Sequence, residues 1–280
     1  MVMKTWLITG ASRGIGLEIA RAALRSGDQV VATARKPEQV KAGLAGEDDS
    51  RLLSLALDIT DQSAIEAAVD AASKRFGRID VLVNNAGYGQ LGVFEQQSVA
   101  AIKRQFATNF FGTLEVTRAV LPIMRAQRSG HIFTVSSISG LTGSEGGSIY
   151  SATKFALEGW SEGISFELKP FGIRTTLIEP GFFRTDFLDA SSVSYGDIVI
   201  PDYAEYSAAF RVQLDAINHA QAGDPAKLGE AIVTLAASDD LPVRFAAGSD
   251  AYGVITDRAA RDRAEADRWR DLSVSTDIVA

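Results

Sequence analysis

The segment that decides the fold is KTWLITGASRGIGLEIARAALRSG, residues 4–27. It begins with a short apolar run, continues through Gly10, Gly14 and Gly16, and ends in residues whose apolar positions recur at helical spacing up to Gly27. The pattern predicts a strand, a glycine turn and a helix. Glycines let the backbone turn tightly and approach a ligand closely, and the N-terminus of the following helix favours a phosphate. We therefore expect a dinucleotide site here, although the spacing G-x3-G-x-G differs from the general G-x-G-x-x-G fingerprint.

Strand-like and helix-like segments alternate along the rest of the chain. Strands of a parallel sheet are expected because such alternation is typical of βαβ units with right-handed crossovers, and the strand segments are apolar throughout, as in a sheet covered on both faces. The chain of 280 residues is short enough to form one domain, so we predict a single α/β domain over 1–280. The later strands are predicted within 29–35, 52–60, 79–87, 131–137, 172–181 and 242–248, and the later helices within 62–76, 99–128, 150–169, 225–237 and 256–273.

Composition excludes several classes of function. The net charge of −7 argues against nucleic acid or an anionic membrane as the main partner. The chain has no cysteine, which excludes disulfides and thiolate metal sites, and its two histidines, His131 and His219, are far apart in sequence, so we predict no metal site. No segment before the glycine turn is long enough for a signal peptide or membrane span, and a cytoplasmic location is expected.

Chemistry is predicted for the segment SSISGLTGSEGGSIYSATK, residues 136–154. Tyr150 and Lys154 lie one turn apart on a predicted helix, so their side chains can share a site. We expect the ammonium, together with a cationic nicotinamide ring, to lower the pKa of the phenol and make it a general acid or base. Ser137 follows a predicted strand, where its hydroxyl can hold a substrate oxygen. A buried tyrosine beside a surface serine loop is the alternative.

The end of the second predicted strand favours one dinucleotide over another. A protein that binds NAD usually has an acidic residue here for the ribose hydroxyls, and this chain has Arg35 and Lys36 instead. With Arg13 of the glycine turn, they offer cations to a 2′-phosphate, so NADP is preferred and NAD remains an alternative. Asp58 either accepts a hydrogen bond from the adenine amino group or caps the next helix.

These motifs together resemble the classical short-chain dehydrogenase/reductase family. The matching elements are TGASRGIG (9–16), LDIT (57–60), NNAG (84–87), Asn109 in ATNFFGT, Ser137, YSATK (150–154) and EPGFFRT (179–185). The resemblance implies a Rossmann-type doubly wound parallel sheet of six to seven strands in the order 3-2-1-4-5-6-7. It also implies transfer of a hydride between NAD(P)(H) and an alcohol or carbonyl carbon.

The resemblance implies roles for individual residues. Tyr150 would donate or accept the proton, Ser137 would orient the substrate oxygen, Lys154 would lower the phenol's pKa and bind the nicotinamide ribose, and Asn109 would hold a water linking Lys154 to solvent. The cofactor-binding residues would be Gly10, Ser12, Arg13, Gly14, Ile15, Gly16, Arg35, Asp58, Ile59, Asn85, Ala86, Gly87, Tyr150, Lys154, Pro180, Gly181 and Thr185.

The C-terminal third departs from the common family pattern. Residues 182–222 are rich in aromatic side chains, and we expect a substrate-covering insertion for a medium to large, mostly apolar carbonyl or alcohol. The segment PVRFAAGSDA, residues 242–251, and the charged helix predicted at 256–273 resemble the hydroxysteroid and retinol dehydrogenase branch. We predict a homodimer through the helices at 99–128 and 150–169, with a tetramer as the alternative. A non-catalytic dinucleotide sensor is the alternative function from another class.

Overall fold

The structure, a computed structural model, describes residues 3–278. Within that range the strands are β1 (Thr5–Ile8), β2 (Gln29–Ala34), β3 (Leu52–Ala56), β4 (Val81–Asn84), β5 (Gly89–Leu91), β6 (Gly130–Val135), β7 (Ile173–Pro180), β8 (Val193–Tyr195) and β9 (Arg244–Ala247). Seven of these described strands form one parallel sheet in the order β3-β2-β1-β4-β6-β7-β9. Since β5 and β8 pair with each other elsewhere, this is the predicted order 3-2-1-4-5-6-7, and the prediction of a single doubly wound α/β domain is confirmed.

The helices of residues 3–278 lie between these strands or follow the last one. They are α1 (Gly14–Arg25), α2 (Pro37–Gly43), α3 (Gln62–Phe76), α4 (Val99–Phe106), α5 (Thr113–Gln127), α6 (Ser148–Leu168), α7 (Ala204–Ile217), α8 (Pro225–Ala237), α9 (Ser249–Arg268) and α10 (Arg270–Val274). No helix in this part of the chain combines the length and the apolar character that a membrane crossing requires.

The main sheet is covered on both faces because its strands are apolar at successive positions. In β1, Trp6 and Ile8 join a buried cluster formed with α1 and α8, whereas Leu7 between them joins the cluster formed with α3 and α5 on the other face. Successive side chains of a strand point to opposite faces, so one apolar strand supplies both cores.

The predicted helix over 99–128 is interrupted. A π-helical turn, Ala107–Gly112, separates α4 from α5 and carries Asn109. Such turns insert an extra residue into a helix and occur frequently at functional sites. The amphipathic period continues across the turn, so sequence spacing alone did not reveal it.

The covering segment, residues 182–222, is fixed to the body by a second small sheet. β8 of this segment pairs in parallel with β5, which follows β4 closely along the chain. The segment also contains α7, whose Phe210 is buried. The charged C-terminal helix begins at Ser249, earlier than predicted, and of the α9 residues only Ala251 is buried.

Candidate active site

One cavity of about 840 Å³ extends from the glycine turn across the carboxyl ends of the strands to the covering segment. This is where parallel α/β sheets hold their ligands. Of the predicted site residues, it is lined by Gly10, Ser12, Arg13, Gly14, Ile15, Arg35, Asp58, Ile59, Asn85, Ala86, Gly87, Ser137, Tyr150, Lys154, Pro180, Gly181 and Thr185. Gly16 and Asn109 do not line it.

The glycine turn requires glycine for two different reasons. Gly10 and Gly14 have φ values of +68° and +57°, in the left-handed region that side chains disfavour. A Cβ at Gly16 would instead overlap the side-chain amide of Asn85, which donates hydrogen bonds to the carbonyls of Thr9 (3.0 Å) and Gly10 (3.1 Å). Gly16 therefore leaves room for the Asn85 side chain that holds the turn, and its contact with a cofactor stays a prediction.

Asn109 is committed to the backbone of Tyr88. Its Nδ2 donates to the Tyr88 carbonyl (2.9 Å), and its Oδ1 accepts from the Tyr88 amide (3.1 Å). The side chain is buried, and it therefore positions the segment after β4. The water-holding role implied for Asn109 stays a prediction.

Tyr150, Lys154 and Ser137 meet at the end of β6. Lys154 Nζ donates to the Val135 carbonyl (2.8 Å) and lies 5.6 Å from the centre of the Tyr150 ring. Ser137 Oγ accepts from the Ser139 amide (3.0 Å), which fixes the hydroxyl at the strand's carboxyl end. Both Tyr150 and Lys154 are buried. The helix and the strand thus bring together the three side chains that the sequence placed thirteen and four residues apart.

Burial dominates the pKa values of Tyr150 and Lys154. Burial raises the pKa of this phenol to about 12, and the neighbouring Ser137 hydroxyl opposes the rise. Burial also lowers the pKa of Lys154 to about 8, and Glu158 opposes that change. The lowering expected from Lys154 together with a bound nicotinamide ring stays a prediction, because among the protein's own groups the desolvation of the buried phenol is the largest effect.

The two arginines predicted for a 2′-phosphate have different surroundings. Arg35 is exposed at the end of β2, lines the cavity, and makes no hydrogen bond or ion pair with any other residue in the range 3–278. Arg13 instead donates to Oγ (2.6 Å) and to the carbonyl (2.9 Å) of Ser191. Arg13 therefore joins the glycine turn to the covering segment, a contact 178 residues apart that no local pattern indicates.

Asp58 does not cap the next helix. Asp61 caps α3 by accepting from the amides of Ser63 and Ala64, whereas Asp58 accepts from the amide (2.9 Å) and hydroxyl (2.7 Å) of Thr60. The alternative that Asp58 caps α3 was wrong, because the capping residue is Asp61, three residues later. Asp58 lines the cavity, so the adenine interpretation remains open as a prediction.

The turn after β7 is shaped by a residue that the sequence analysis missed. Asp250, near the start of α9, accepts from the Phe182 amide (2.7 Å). A Cβ on Gly181 would overlap both carboxylate oxygens of Asp250. The C-terminal helix thus holds the Pro180–Gly181 turn, and Thr185 Oγ1 accepts from the Phe187 amide (3.3 Å) a few residues later.

An apolar wall faces Tyr150 from the covering segment. Leu91, Val193 and Phe210 form a buried cluster with Tyr150, and the Phe187 ring lies 5.6 Å from the Tyr150 ring. The sequence predicted aromatic side chains over the site for this segment as a whole. It could not assign a role to any single residue, because residues in a loop follow no helical or strand period.

Gln221 is a buried polar residue that lines the same cavity as this apolar wall. It lines the cavity, only 6% of its surface is exposed, and its Oε1 has no hydrogen-bond partner among the described residues. The residue reaches the cavity because the segment around Gly223 pairs with Phe183.

The covering segment also brings His219 to two carboxylates. Asp186, Asp189 and His219 place one ligand atom each within 4.8 Å of one another. His219 Nε2 lies 3.0 Å from Asp189 Oδ1, which also accepts from Asn218 (2.7 Å). The sequence analysis placed His219 outside any cluster, and the fold corrects that. Asp189 is satisfied without an ion, and the absence of a metal site stays a prediction.

Comparison with known proteins shows which family has these motifs. The family model described as short chain dehydrogenase matches residues 4–195. Oxidoreductase BOA17 of Botryotinia fuckeliana is 39% identical over 273 residues, which are 98% of this chain and 99% of the relative. The 3-ketodihydrosphingosine reductase of Bacteroides thetaiotaomicron is 37% identical over 244 residues, 86% of this chain and 87% of the relative.

Solved structures agree with the sequence relatives. A short-chain dehydrogenase from Streptomyces avermitilis has a TM-score of 0.89 at 40% identity, over 99% of this chain and all of that one. A metagenomic short-chain oxidoreductase in complex with NADP has a TM-score of 0.68 at 28% identity, over 86% of this chain and 95% of that one. The resemblance found in the sequence is confirmed, and the chain belongs to the short-chain dehydrogenase family of NAD(P)-dependent oxidoreductases.

Proposed function

We propose that this oxidoreductase transfers a hydride between NADP(H) and the carbonyl or secondary alcohol carbon of a medium to large, mostly apolar molecule. The observation that carries the proposal is the single cavity in which Ser137, Tyr150 and Lys154 lie between the glycine turn and the apolar wall. A dinucleotide and a substrate would both have to reach Tyr150, and this cavity is lined by Tyr150, by the glycine turn and by the covering segment.

The residues around the glycine turn fit a nicotinamide dinucleotide. Gly10 brings the backbone so close to Ala86 that a Cβ would lie 2.8 Å from the Ala86 Cα, and α1 presents its N-terminus to the cavity. Arg35, exposed beside the cavity, would bind a 2′-phosphate, and the second strand ends without an acidic residue for ribose hydroxyls. These features favour NADP over NAD.

The protein's own groups would handle the proton. When bound, the nicotinamide ring donates or accepts the hydride. Tyr150 would donate its hydroxyl proton to the carbonyl oxygen during reduction and recover it from solvent, while the Ser137 hydroxyl would hold that oxygen. Because burial alone raises the pKa of Tyr150, the positive charge that favours the phenolate during oxidation has to come from the oxidised ring as well as from Lys154.

The apolar wall supports a substrate with substantial hydrocarbon surface. Burying such a surface against Leu91, Val193, Phe187 and Phe210 would contribute roughly 25 cal/mol per Å². The relative named for reduction of 3-ketodihydrosphingosine is consistent with a ketone of that kind. The same cluster also packs the covering segment onto the sheet. A series of substrates graded by apolar size separates this packing role from substrate binding.

We propose a homodimer through α4, α5 and α6. On α6, Phe155 and Phe166 are exposed, 41% and 78% respectively, on the face where Gly159 and Gly163 leave open space for a Cβ. Phe111 between α4 and α5 is also exposed. A helix of a second copy could pack closely against this surface. A cytoplasmic location likewise stays a prediction.

The test is NADPH and NADH consumption with ketones and aldehydes graded by size and polarity. The proposal predicts NADPH-dependent turnover that rises with apolar size and is lost in Tyr150→Phe. Phe210→Ala, which removes one aromatic ring of the wall but leaves the reacting groups, should weaken the size dependence. Turnover limited to small charged carbonyls would contradict the substrate class, and absence of turnover with both cofactors would contradict the function.

A further inference from the structure

A buried cluster of charged groups lies one helical turn beyond Lys154. Glu158 on α6 is 4% exposed, and Glu179, the residue before Pro180 on β7, is fully buried. Arg244 of β9 places one nitrogen, Nη1, 2.5 Å from Glu158 Oε2 and 2.9 Å from Glu179 Oε1. Its other nitrogen, Nη2, lies 2.7 Å from Glu162, which is half exposed at the rim. None of these residues faces the cavity described above.

This arrangement brings two buried carboxylates to the same nitrogen atom. The remaining oxygens, Glu158 Oε1 and Glu179 Oε2, are buried and have no partner among the described residues. An ionised carboxylate oxygen without a partner is costly to bury, and two carboxylates that share a site hold a proton more tightly than one alone. Burial raises the pKa of both groups, that of Glu158 to about 7.

The cluster is coupled to the active site through Lys154. Lys154 is buried on the same helix, and Glu158 opposes the lowering of its pKa by burial. Ser136 Oγ and Glu158 Oε1 both lie beside Gly140, since a Cβ added there would be 2.6 Å from the first atom and 2.9 Å from the second. Because residue 140 is a glycine, it places no side chain between the end of β6 and the carboxylate. Ser136 immediately follows Val135, whose carbonyl accepts from Lys154.

We infer that Glu158 and Glu179 share one proton at neutral pH and, by releasing it as the pH rises, keep Lys154 charged for its work beside Tyr150. The proton passes from the pair to water at the rim formed by Arg244 and Glu162, and the pair gains one negative charge. The charged groups that face Glu158 are Lys154 and Glu162 on α6, Glu179 on β7 and Arg244 on β9. Glu158 is thus a positioning residue that acts through Lys154.

The effect on turnover rests on the proposed function. In Glu158→Gln the pair has lost a carboxylate, so Lys154 should lose its proton at a lower pH. We expect the alkaline limb of the kcat profile to move toward neutral by about one pH unit, which is roughly a tenfold loss of turnover at high pH with little loss near pH 6. Glu167→Gln, which removes an exposed carboxylate of the same helix outside the cluster, is the matched control and should leave the limb in place.

A second readout does not depend on activity. Since the folded-state pKa of Glu158 lies above its ordinary value, the folded protein holds a proton that the unfolded chain lacks between about pH 4.5 and 7. The free energy of unfolding should therefore fall as the pH rises through that window in the wild type and in Glu167→Gln, and this slope should be reduced in Glu158→Gln. Urea titrations at several pH values measure it.

The outcomes separate the two proposals. A wild type that reduces no carbonyl, yet shows the pH-dependent stability that Glu158→Gln removes, would support the acid pair and refute the proposed function. Equal loss of turnover at every pH, or an unchanged stability slope in Glu158→Gln, would overturn the acid pair. If Glu158→Gln does not fold, Glu179→Gln removes the other carboxylate of the pair. The pH profile of kcat and the pH dependence of the free energy of unfolding are then measured in that variant, with the same expected and contradicting results.

Discussion

Replacing Arg35 by aspartate should reverse the preference between the two dinucleotides. A hydrogen bond between charged groups contributes about 1.5–3 kcal/mol, and the lower value applies here because Arg35 is exposed and screened by solvent. An aspartate in its place would also repel a 2′-phosphate by about 1 kcal/mol. The sum, about 2.5 kcal/mol, corresponds to nearly a hundredfold loss in kcat/KM for NADPH.

The same change should help NADH. A carboxylate at this position can accept hydrogen bonds from ribose hydroxyls, each contributing about 1 kcal/mol, so kcat/KM for NADH should rise severalfold. Steady-state kinetics with both cofactors and one ketone measure the ratio. Lys41→Asp, an equal change of net charge on exposed α2 outside the cavity, is the control and should leave the ratio unchanged. A ratio that moves less than about fivefold in Arg35→Asp would refute the assignment of Arg35.

Three further predictions follow from contacts in the structure. Gly181→Ala should lower the free energy of unfolding by about 1–3 kcal/mol because its methyl group displaces Asp250 from the Phe182 amide, and Asp250→Ala in the same chain should restore part of the loss in urea titrations; equal losses in the single and double variants would contradict this. Arg13→Ala should raise KM severalfold and speed proteolysis of the covering segment, since both bonds to Ser191 are lost; unchanged proteolysis would contradict it. Phe166→Glu should convert the dimer to a species of the monomer mass, 29.9 kDa, in light scattering, and a wild type already of that mass would refute the dimer.

The sequence predicts the main sheet because its signals are local. The strands are short apolar runs, the helices have apolar residues at helical period, and the glycines mark the turn between them. Helices α3 and α8 begin and end at the predicted residues, since Asp61 and Asp224 cap their first turns. The proximity of Ser137, Tyr150 and Lys154, the side chains proposed to react, was predicted for the same reason, because spacing along one helix and one strand end is fixed by geometry.

The rest of the site depends on contacts between distant residues. Arg13 reaches Ser191, Asp250 holds the turn at Gly181, and β5 pairs with β8, none of which leaves a periodic trace in the chain. The rise of the Tyr150 pKa by burial could not be predicted, because a spacing of four residues shows that an ammonium is near but not how deeply both groups are buried. Desolvation is a property of the packed fold.

The pair of carboxylates Glu158 and Glu179 was not predicted from the sequence for a similar reason. Glu158 falls on the predicted helix face of Tyr150 and Lys154, but a carboxylate in a helix is usually solvated, and only the fold brings it to Glu179 and Arg244. A signal was present in the spacing, since the three residues 150, 154 and 158 are each one turn apart.

The proposed role of Tyr150 is decided by the rate of NADPH consumption by the wild type and by Tyr150→Phe with an apolar ketone, measured alongside NADPH binding by fluorescence. The phenylalanine keeps the ring that packs on Phe187 and removes only the hydroxyl. We predict turnover lowered by ~10² to 10⁴ with binding nearly unchanged, because general acid–base catalysis contributes about that much. Turnover that survives the change, or a loss of binding equal to the loss of turnover, would show that Tyr150 supports the structure and that the proton comes from elsewhere.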